Sequence, residues 1–240
     1  MHTKRINLIS TPRNISTALM YSFASRKDSK VVDEPMYAYY LHNSGAMHPG
    51  REAILEALPK DFETVKNKLL FQEMKEGVYF IKGMAHHYLD LDLGFLKNME
   101  NVFLIRDPQK LIISFSKVIS NPTMTDIGVK KEFQIFSFLQ NENENPIVLD
   151  SEEVLKNPAK VLAELCAKIE IPFAEDMLQW KSGPIEEDGV WAEHWYGNVH
   201  KSTGFNSVKR TNEKFPHELM SLYEEAMPYY EKLLEYSIKA

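Results

Sequence analysis

The stretch at residues 6–23, INLISTPRNISTALMYSF, constrains the fold more than any other part of the chain. A short apolar run typical of a buried strand comes first, and a polar turn that contains Pro12 ends it, because proline has no amide hydrogen for the ladder. Apolar residues then recur every four positions, which is the spacing of one helix face. The stretch therefore predicts a strand, a tight turn and a helix. The apolar positions are Ile6, Leu8 and Ile9 before the turn and Ile15, Leu19 and Phe23 after it.

The turn between this strand and this helix has the chemistry of an anion site. The first amides of a helix lack partners within the helix and, together with the helix dipole, they favour phosphate or sulfate. Arg13 adds a fixed positive charge and a forked donor, and Ser16 and Thr17 add hydroxyl donors. The alternative is an ordinary strand-to-helix turn whose Ser and Thr only cap the helix.

The turn is not a Walker A loop, because that motif needs G-x-x-x-x-G-K-[ST] and residues 10–17 contain no glycine. It resembles the phosphosulfate loop of sulfotransferases, whose usual pattern is P-[KR]-[ST]-G-[ST]-[TS]. Asn14 is a small departure from that pattern. Ile15 stands where glycine is usual, so either its backbone is unstrained or the loop differs. The matching residues are Pro12, Arg13, Ser16 and Thr17.

A second motif, RDPQKLIIS at residues 106–114, directly follows another predicted strand. It matches the sulfotransferase pattern R-[DN]-P-x-x-[VLI]-x-x-S, and the planar guanidinium of Arg106 suits a phosphate. Two such loops in this order, each after a strand, are more specific than either alone. Over residues 4–150 the chain therefore resembles the sulfotransferase family, and within it the bacterial and plant sulfotransferase-like group.

The resemblance implies a donor and a donor site. The donor would be 3′-phosphoadenosine 5′-phosphosulfate (PAPS), with residues 12–17 on its 5′-phosphosulfate and with Arg106 and Ser114 on its 3′-phosphate. Some members of the group carry names borrowed from aminotransferases to which they are fused, but nothing in this chain resembles a pyridoxal-phosphate domain. The family's C-terminal donor loop, R-K-G-x-x-G, has a partial match in Lys201, Ser202, Thr203 and Gly204.

Residues 77–90, GVYFIKGMAHHYLD, contain the side chains that the resemblance assigns to catalysis. In the family a strand at this place ends in a lysine, matched by Lys82, and a histidine two residues later is the general base. Met84 occupies that position here, so either His86 or His87 is the expected base, and the alternative is that both are structural. The H-H-x-x-D-x-D spacing could also suggest a metal site, but sulfuryl transfer needs no metal and none is expected.

Candidate acceptor-binding residues lie in two aromatic-rich segments. Glu34 ends a second predicted strand, where it could orient an acceptor amine or hydroxyl or pair with a nearby arginine. Tyr37 and Trp195 would form an aromatic wall, although such residues also fill protein cores. Trp191 or Trp195 could instead stack on the adenine of the donor. The sequence does not indicate which small molecule is the acceptor.

Strands alternate with helices along most of the chain, which predicts βαβ units and a mainly parallel sheet. The expected fold is α/β, a three-layer P-loop-NTPase-like fold with about five strands and a helical C-terminal part. We expect one domain over residues 1–240, with a core at 4–170 and a loop and helical extension at 171–240. Strands are predicted near residues 6–9, 30–35, 78–82, 101–105 and 146–149, helices at 15–23, 51–58, 61–75, 86–99, 108–119, 126–141, from 158 and at 215–238, and irregular segments at 36–48 and 181–204.

Composition limits the class of function. The formal charge of −6 argues against general nucleic-acid binding, and no apolar run approaches the roughly 18 residues that cross a membrane. Cys166 is the single cysteine, so no disulfide can form within the chain. The N-terminus has no signal-like apolar region, and a reducing cytoplasm is the expected location. Neither nucleic acid nor a membrane is an expected partner.

The expected function is transfer of a sulfuryl group from PAPS to a hydroxyl or amine of a small-molecule acceptor. Arg13 or Lys82 would offset charge on the leaving oxygen, and His86 or His87 would take the acceptor's proton. One alternative is a P-loop-type phosphotransferase, which the missing Walker lysine disfavours. The other is a catalytically silent nucleotide-binding protein, which Ile15 and the displaced histidines favour.

Overall fold

The structure, a computed structural model, describes residues 3–205 and 214–240. One sheet carries helices on both faces. The strands are β1 (Lys4–Ser10), β2 (Ser29–Asp33), β3 (Val78–Met84), β4 (Glu100–Ile105), β5 (Ile147–Asp150) and β6 (Ser237–Ile238). The helices are α1 (Ser16–Ala24), α2 (Tyr37–Ser44), α3 (Arg51–Ala57), α4 (Phe62–Val65), α5 (Pro108–Ser116), α6 (Met124–Ile127), α7 (Val129–Asn141), α8 (Ser151–Lys156), α9 (Pro158–Lys168), α10 (Ala192–Trp195) and α11 (Met220–Leu234).

The sheet confirms the predicted α/β, P-loop-NTPase-like fold. Its strand order is β2-β3-β1-β4-β5-β6, and all neighbouring strands run parallel. The predicted sheet of about five strands thus has six among the described residues. In the centre, Leu8 of β1 lies opposite Lys82 of β3 and Val102 of β4. Because parallel strands end at the same edge, the segments after β1, β3 and β4 lie side by side, where ligands bind in such sheets.

Alternate residues of the central strands face opposite sides of the sheet. Leu8 and Leu104 belong to one hydrophobic core, with residues of α1 and α9, whereas Ile9 and Phe103 belong to a second core with residues of α7 and α11. Strands that are apolar on both faces are typical of a parallel sheet covered by helices on both sides. This alternation produces the three layers.

Two predictions beside the site are wrong. Segment 36–48, predicted as irregular, contains α2, whose buried residues Tyr37, Tyr40 and Leu41 lie three and four positions apart. Because the segment is rich in tyrosine, histidine and asparagine, it has no clear apolar stripe from which a helix could be predicted. Residues 86–99, predicted as one helix, form two separate 3₁₀ segments, Ala85–His87 and Leu93–Asn98.

Two other predicted helices have different bounds. The helix expected at 61–75 consists of α4 and a π-helical segment, Lys66–Leu70, and ends there. The helix expected at 126–141 is divided between α6 and α7 by Gly128, whose φ of +70° lies in the left-handed region that glycine readily adopts.

The C-terminal part is helical as predicted, but the last residues of the chain form a strand instead of continuing the helix. Helix α11 continues through Pro228 and ends at Leu234, and Ser237 and Ile238 then pair with β5 as the sixth strand. A strand of two residues has no sequence pattern of its own, so only its contact with the sheet edge reveals it. The predicted extension at 171–240 also includes residues 206–213, which lie outside the described residues. Among the helices that the structure describes, none is long and apolar enough to cross a membrane.

Stacked aromatic rings hold α1 on the sheet. The ring of Phe23 in α1 lies 4.1 Å from that of Phe80 in β3, centroid to centroid, and the two planes differ by 15°. Both side chains are buried. Because Phe23 lies in the last turn of α1, this contact holds the C-terminal end of the helix against β3.

We expect Phe23→Ala to lower the free energy of unfolding by about 3–5 kcal/mol, because a buried ring is lost and a cavity remains. Urea denaturation followed by circular dichroism measures this change. Met47→Ala, at a side chain that is 78% exposed, is the control and should cost less than about 0.5 kcal/mol. Similar losses in the two variants would contradict the packing role of Phe23.

Candidate functional site

The turn between β1 and α1 keeps a tight shape without glycine. Arg13 adopts the left-handed conformation, with φ +55°, which is strained for a residue with a side chain. Ile15, which replaces the usual glycine, has a negative φ of −90° and therefore does not need the left-handed conformation that favours glycine. Asn14 stabilises the turn with two hydrogen bonds. Its Nδ2 donates to the Leu104 carbonyl at 2.7 Å, and its Oδ1 accepts from the Ile15 amide at 2.8 Å.

The start of α1 presents amide hydrogens that a ligand can use. No side chain caps this nine-residue helix. The amides of Ser16 and Thr17 have no acceptor within residues 3–205 and 214–240. The turn therefore has the free donors and the helix dipole of an anion site, and its hydroxyl groups are not used as helix caps.

The two predicted motifs contact each other directly. Arg106 Nη1 donates to the main-chain carbonyl of Arg13, and Arg13 Nε donates to Ser114 Oγ at 3.2 Å. Burial lowers the pKa of Arg13, and burial together with the charge of Arg13 lowers the pKa of Arg106. Two guanidinium groups that repel each other in this way would be stabilised by an anion. The motifs therefore form one cationic region rather than two separate ones.

A cavity of about 90 Å³ lies beside this region, at the carboxyl ends of β1, β2 and β3. The predicted donor residues in its lining are Pro12, Arg13, Asn14, Ser16 and Thr17. The predicted catalytic and acceptor residues in its lining are Glu34, Tyr37, Lys82, His86, His87 and Trp195. Lining residues that the sequence did not predict are His48, Met84, Phe115 and Tyr196.

Lys82 has all three ammonium hydrogens engaged. Its Nζ lies 2.8 Å from Asp33 Oδ1, 2.5 Å from Glu34 Oε1 and 2.6 Å from the Tyr196 hydroxyl. Tyr196 in turn donates to Asp33 Oδ2 at 2.7 Å. We call these four residues the Lys82 cluster. The predicted role of Lys82 at the leaving oxygen stays a prediction, because it would require one of these bonds to break.

The charges of the Lys82 cluster depend on one another. Burial alone would lower the pKa of Lys82, but the carboxylates of Asp33 and Glu34 outweigh it and raise that pKa, so the ammonium persists. Burial and the charge of Asp33 raise the pKa of Glu34 in spite of Lys82. Burial, aided by both carboxylates, raises the pKa of Tyr196, which therefore remains a phenol.

The cluster also holds the long segment 181–204 beside the cavity, which Trp195 and Tyr196 line. The Gly189 amide donates to Asp33 Oδ2 at 3.2 Å, and Trp191 Nε1 donates to the Tyr196 hydroxyl at 3.0 Å. Helix α10 follows Trp191 directly and places Trp195 in the cavity lining. The aromatic residues of this segment thus form part of the site.

His86 and His87 lie in the 3₁₀ segment after β3, and both are buried. His87 is held between the rings of Tyr37 and Tyr40, at centroid distances of 4.8 and 4.9 Å. Burial lowers the pKa of His86 to about 3 and the pKa of His87 well below its ordinary value. Both rings are therefore neutral. Neither Nδ1 atom has a hydrogen-bond partner in the described part of the chain.

His48 is a site residue that the sequence analysis missed. Its Nδ1 lies 2.8 Å from the Tyr37 hydroxyl, and its ring lies 6.4 Å from that of Trp195. Burial lowers the pKa of His48, while burial and Glu34 raise the pKa of Tyr37. His48 and Tyr196 both lie in segments predicted as irregular, where only the density of aromatic and histidine residues could have indicated them.

The residues predicted as a C-terminal donor loop lie elsewhere. None of residues 201–204 lines the cavity. Ser202 Oγ and the Thr203 carbonyl accept from Trp180 at 3.1 Å each, and Gly204 forms an isolated antiparallel bridge with Gln179. These contacts hold the 179–180 segment, and the donor role of Lys201–Gly204 stays a prediction. Within the described ranges no group of three or more His, Cys, Asp or Glu side chains is arranged to hold a metal ion.

Comparison with known protein families identifies the chain at the level of family. The family described as Sulfotransferase domain matches residues 4–236, which is nearly the whole sequence. The chain belongs to the sulfotransferase family. This agrees with the two motifs that meet at Arg13.

Two curated proteins of Arabidopsis thaliana resemble this sulfotransferase-family chain. Branched-chain-amino-acid aminotransferase-like protein 1 is 38% identical over 222 residues, which are 92% of this chain and 40% of that protein. Branched-chain-amino-acid aminotransferase-like protein 2 is 35% identical over 226 residues, 94% of this chain and 40% of that protein. The chain thus spans about 40% of the length of these relatives.

Solved structures share the fold. The sulfotransferase domain from the curacin biosynthetic pathway has a TM-score of 0.54 and 16% identity, and the match covers 94% of this chain and 98% of that one. The sulfotransferase domain of the Synechococcus PCC 7002 olefin synthase has a TM-score of 0.53 and 15% identity, with 93% and 94% covered. A sulfotransferase from Alicyclobacillus acidocaldarius has a TM-score of 0.52 and 11% identity, with 97% and 96% covered.

The buried histidine of this sulfotransferase-family chain should make its stability depend on pH. The pKa of His86 is about 3 when folded and 6.5 when unperturbed, so the stability from the neutral ring is present above pH 6.5 and lost as the pH falls towards about 3. Between about pH 7.5 and about pH 5.5 this group should remove about 1.4 kcal/mol from the free energy of unfolding.

His86→Gln should abolish that part of the decrease, whereas the exposed His42→Gln serves as the matched control. Urea denaturation at the two pH values measures the difference for each variant. The assignment fails if wild type and His86→Gln lose the same stability on acidification.

Lys82→Met should be strongly destabilising, because it leaves two buried carboxylates without their cation. We expect a loss of about 3–5 kcal/mol in the free energy of unfolding, measured by urea denaturation. Lys110→Met is the control, since Lys110 pairs with Glu152 at the surface, where an ion pair contributes about 0–1 kcal/mol. A small effect at Lys82 would show that the carboxylates find other partners.

Proposed function

We propose that this chain transfers a sulfuryl group from PAPS to a hydroxyl or amine of a small-molecule acceptor. Membership of the sulfotransferase family supports the class of reaction. The observation that carries the proposal is the contact between the two motifs, in which Arg106 donates to the Arg13 carbonyl and Arg13 donates to Ser114. A doubly phosphorylated adenosine carries two anionic groups, and a cationic region that contains two arginines offers one guanidinium for each of them.

The donor set fits PAPS chemically. Free amides begin α1 beside Arg13. Within residues 3–205 and 214–240, neither Arg13 nor Arg106 forms an ion pair with a carboxylate, so both charges are available to phosphate or sulfate. We assign the 5′-phosphosulfate to the turn with Arg13, and the 3′-phosphate to Arg106 and Ser114.

Bound PAPS supplies an activated sulfuryl group, whose bond to the 5′-phosphate oxygen breaks as the bond from sulfur to the acceptor forms. The protein's part is to align the two substrates and to offset charge, because the transition state is expected to be loose. Arg13 and the amides of α1 offset the charge on the leaving phosphate. The acceptor's proton passes to the neutral ring of His86 or His87, both of which line the cavity.

We place the acceptor against Glu34, Tyr37 and Trp195, which line the cavity together with the two histidines. We also propose a cytoplasmic location. It is supported by Cys166, a free and buried thiol whose pKa burial raises to about 11, so that it is neither paired nor reactive.

Arg106→Ala tests the donor assignment. Because charge-assisted hydrogen bonds to the 3′-phosphate would be lost, affinity for adenosine 3′,5′-bisphosphate should fall about 10–100-fold, while affinity for adenosine 5′-monophosphate should fall much less. Isothermal titration calorimetry measures both constants, and Lys110→Ala removes a nearby exposed cation as the matched control.

The result also separates binding from turn geometry. If Arg106→Ala binds both nucleotides more weakly than wild type by the same factor, Arg106 only shapes the turn through the Arg13 carbonyl. Its assignment to the 3′-phosphate is then wrong. Unchanged affinity for the bisphosphate would exclude the role altogether.

A second candidate is a catalytically silent nucleotide-binding protein, which is favoured by the complete engagement of the Lys82 ammonium. A thermal-shift comparison of adenosine 3′,5′-bisphosphate with ATP and ADP, followed by a sulfate-transfer assay from PAPS to a panel of acceptors, distinguishes the two. Bisphosphate binding without transfer would support the silent protein. Tighter binding of ATP would instead indicate a phosphotransferase.

A further inference from the structure

Glu34 has a carboxylate oxygen that the protein leaves free. Its Oε1 accepts from Lys82 at 2.5 Å, but its Oε2 has no hydrogen-bond partner anywhere in residues 3–205 or 214–240. The side chain is 9% exposed and lines the cavity. A carboxylate oxygen at a cavity accepts hydrogen bonds from water or from a ligand with an N–H or O–H group, and such a ligand can take the place of water there.

The charge around Glu34 is negative. Lys82 contributes one positive charge, and Asp33 and Glu34 contribute two negative charges to the same buried cluster. Arg13, the other cation in the cavity lining, lies at the donor turn and is assigned there to the phosphosulfate. When Glu34 is ionised, the cluster has one negative charge in excess. Burial and the charge of Asp33, which raise the pKa of Glu34, act against that ionised form, and an ammonium group bound there would stabilise it.

Other groups on this side also suit a cation. His86 and His87 are neutral, more than nine-tenths buried, and have unpartnered Nδ1 atoms, so they repel no cation and are available to donors. Tyr37 and Trp195 line the same cavity, and because the ring of Tyr37 is already stacked on His87, Trp195 is the aromatic side chain that we consider for a ligand. Aromatic faces attract ammonium groups, most strongly where water is excluded.

We propose, on the basis of the sulfuryl transfer proposed above, that the acceptor carries an ammonium group, which binds Glu34 Oε2 on the side of the cavity that Trp195 lines. The ammonium group is distinct from the nucleophile and does not react. It orients the acceptor so that its hydroxyl, or a second and uncharged amine, faces the phosphosulfate turn at Arg13. Glu34 is thus a specificity residue, and the acceptor class is that of amino alcohols and diamines.

The conformation of Glu34 agrees with a binding role. Its φ of +36° lies in the left-handed region, as does that of Arg13 on the donor side. Strain of this kind persists where the surrounding contacts impose it, and it is frequent at ligand sites. Here the bond to Lys82 holds the carboxyl at the cavity.

Matched pairs of small ligands isolate the effect of charge. We would titrate 2-aminoethanol against ethane-1,2-diol, and 4-aminobutan-1-ol against butane-1,4-diol, into the full chain with and without adenosine 3′,5′-bisphosphate, using isothermal titration calorimetry. The amino alcohols should bind about tenfold or more tightly than the diols of the same length, because a charge-assisted bond replaces a neutral one.

Glu34→Gln should abolish this preference, whereas Glu56→Gln, at an exposed carboxylate, should keep it. Bisphosphate affinity of Glu34→Gln should equal that of wild type, which shows that the donor side is intact. Equal binding of amino alcohols and diols, or a preference that survives in Glu34→Gln, overturns the proposal. Absence of bisphosphate binding contradicts the sulfotransferase function instead, and the titrations without nucleotide still decide the ammonium preference.

Discussion

The buried ammonium of Lys82 is the interaction on which the rest of the site depends. Its hydrogen bonds join Asp33 and Glu34, at the end of β2, to Tyr196 in the distant segment 181–204. Removing an ammonium from water costs several kcal/mol, and only full pairing of its hydrogens offsets that cost. The positions of Asp33, Glu34 and Tyr196 are therefore interdependent, and together they shape the acceptor side of the cavity.

The donor side is organised differently, around backbone geometry. Arg13 is held in a left-handed conformation by bonds that reach across to β4 and α5, through Asn14 and Ser114. The strain of about 1–3 kcal/mol is offset by this surrounding network. Glu34 is strained in the same sense on the acceptor side. Arg13 and Glu34 thus both line one cavity in a strained conformation, and each is held by contacts with residues that are distant in sequence.

The local sequence pattern predicted the secondary structure correctly where a segment's own apolar periodicity indicates a strand or a helix. The apolar runs of β1, β3 and β4 predicted strands, and their alternation with helices predicted the parallel sheet. Pattern failed at α2, where tyrosines are buried against histidines rather than in an apolar stripe. It failed again at β6, where a two-residue strand exists only because the chain end meets β5.

The sequence by itself determined the sulfotransferase resemblance, the α/β sheet and the cationic motifs at Arg13 and Arg106. The motifs lie within short continuous stretches, and the sheet follows from the order in which strand and helix patterns alternate along the chain. Only the tertiary structure decided which polar groups are already paired and which remain free. The Lys82 ammonium donates to residues 49, 48 and 114 positions away in the sequence, whereas one carboxylate oxygen of Glu34 has no partner among the described residues. Donors and acceptors on segments that are far apart in the sequence meet only in the folded protein. For this reason the local sequence does not show which of them pair with each other.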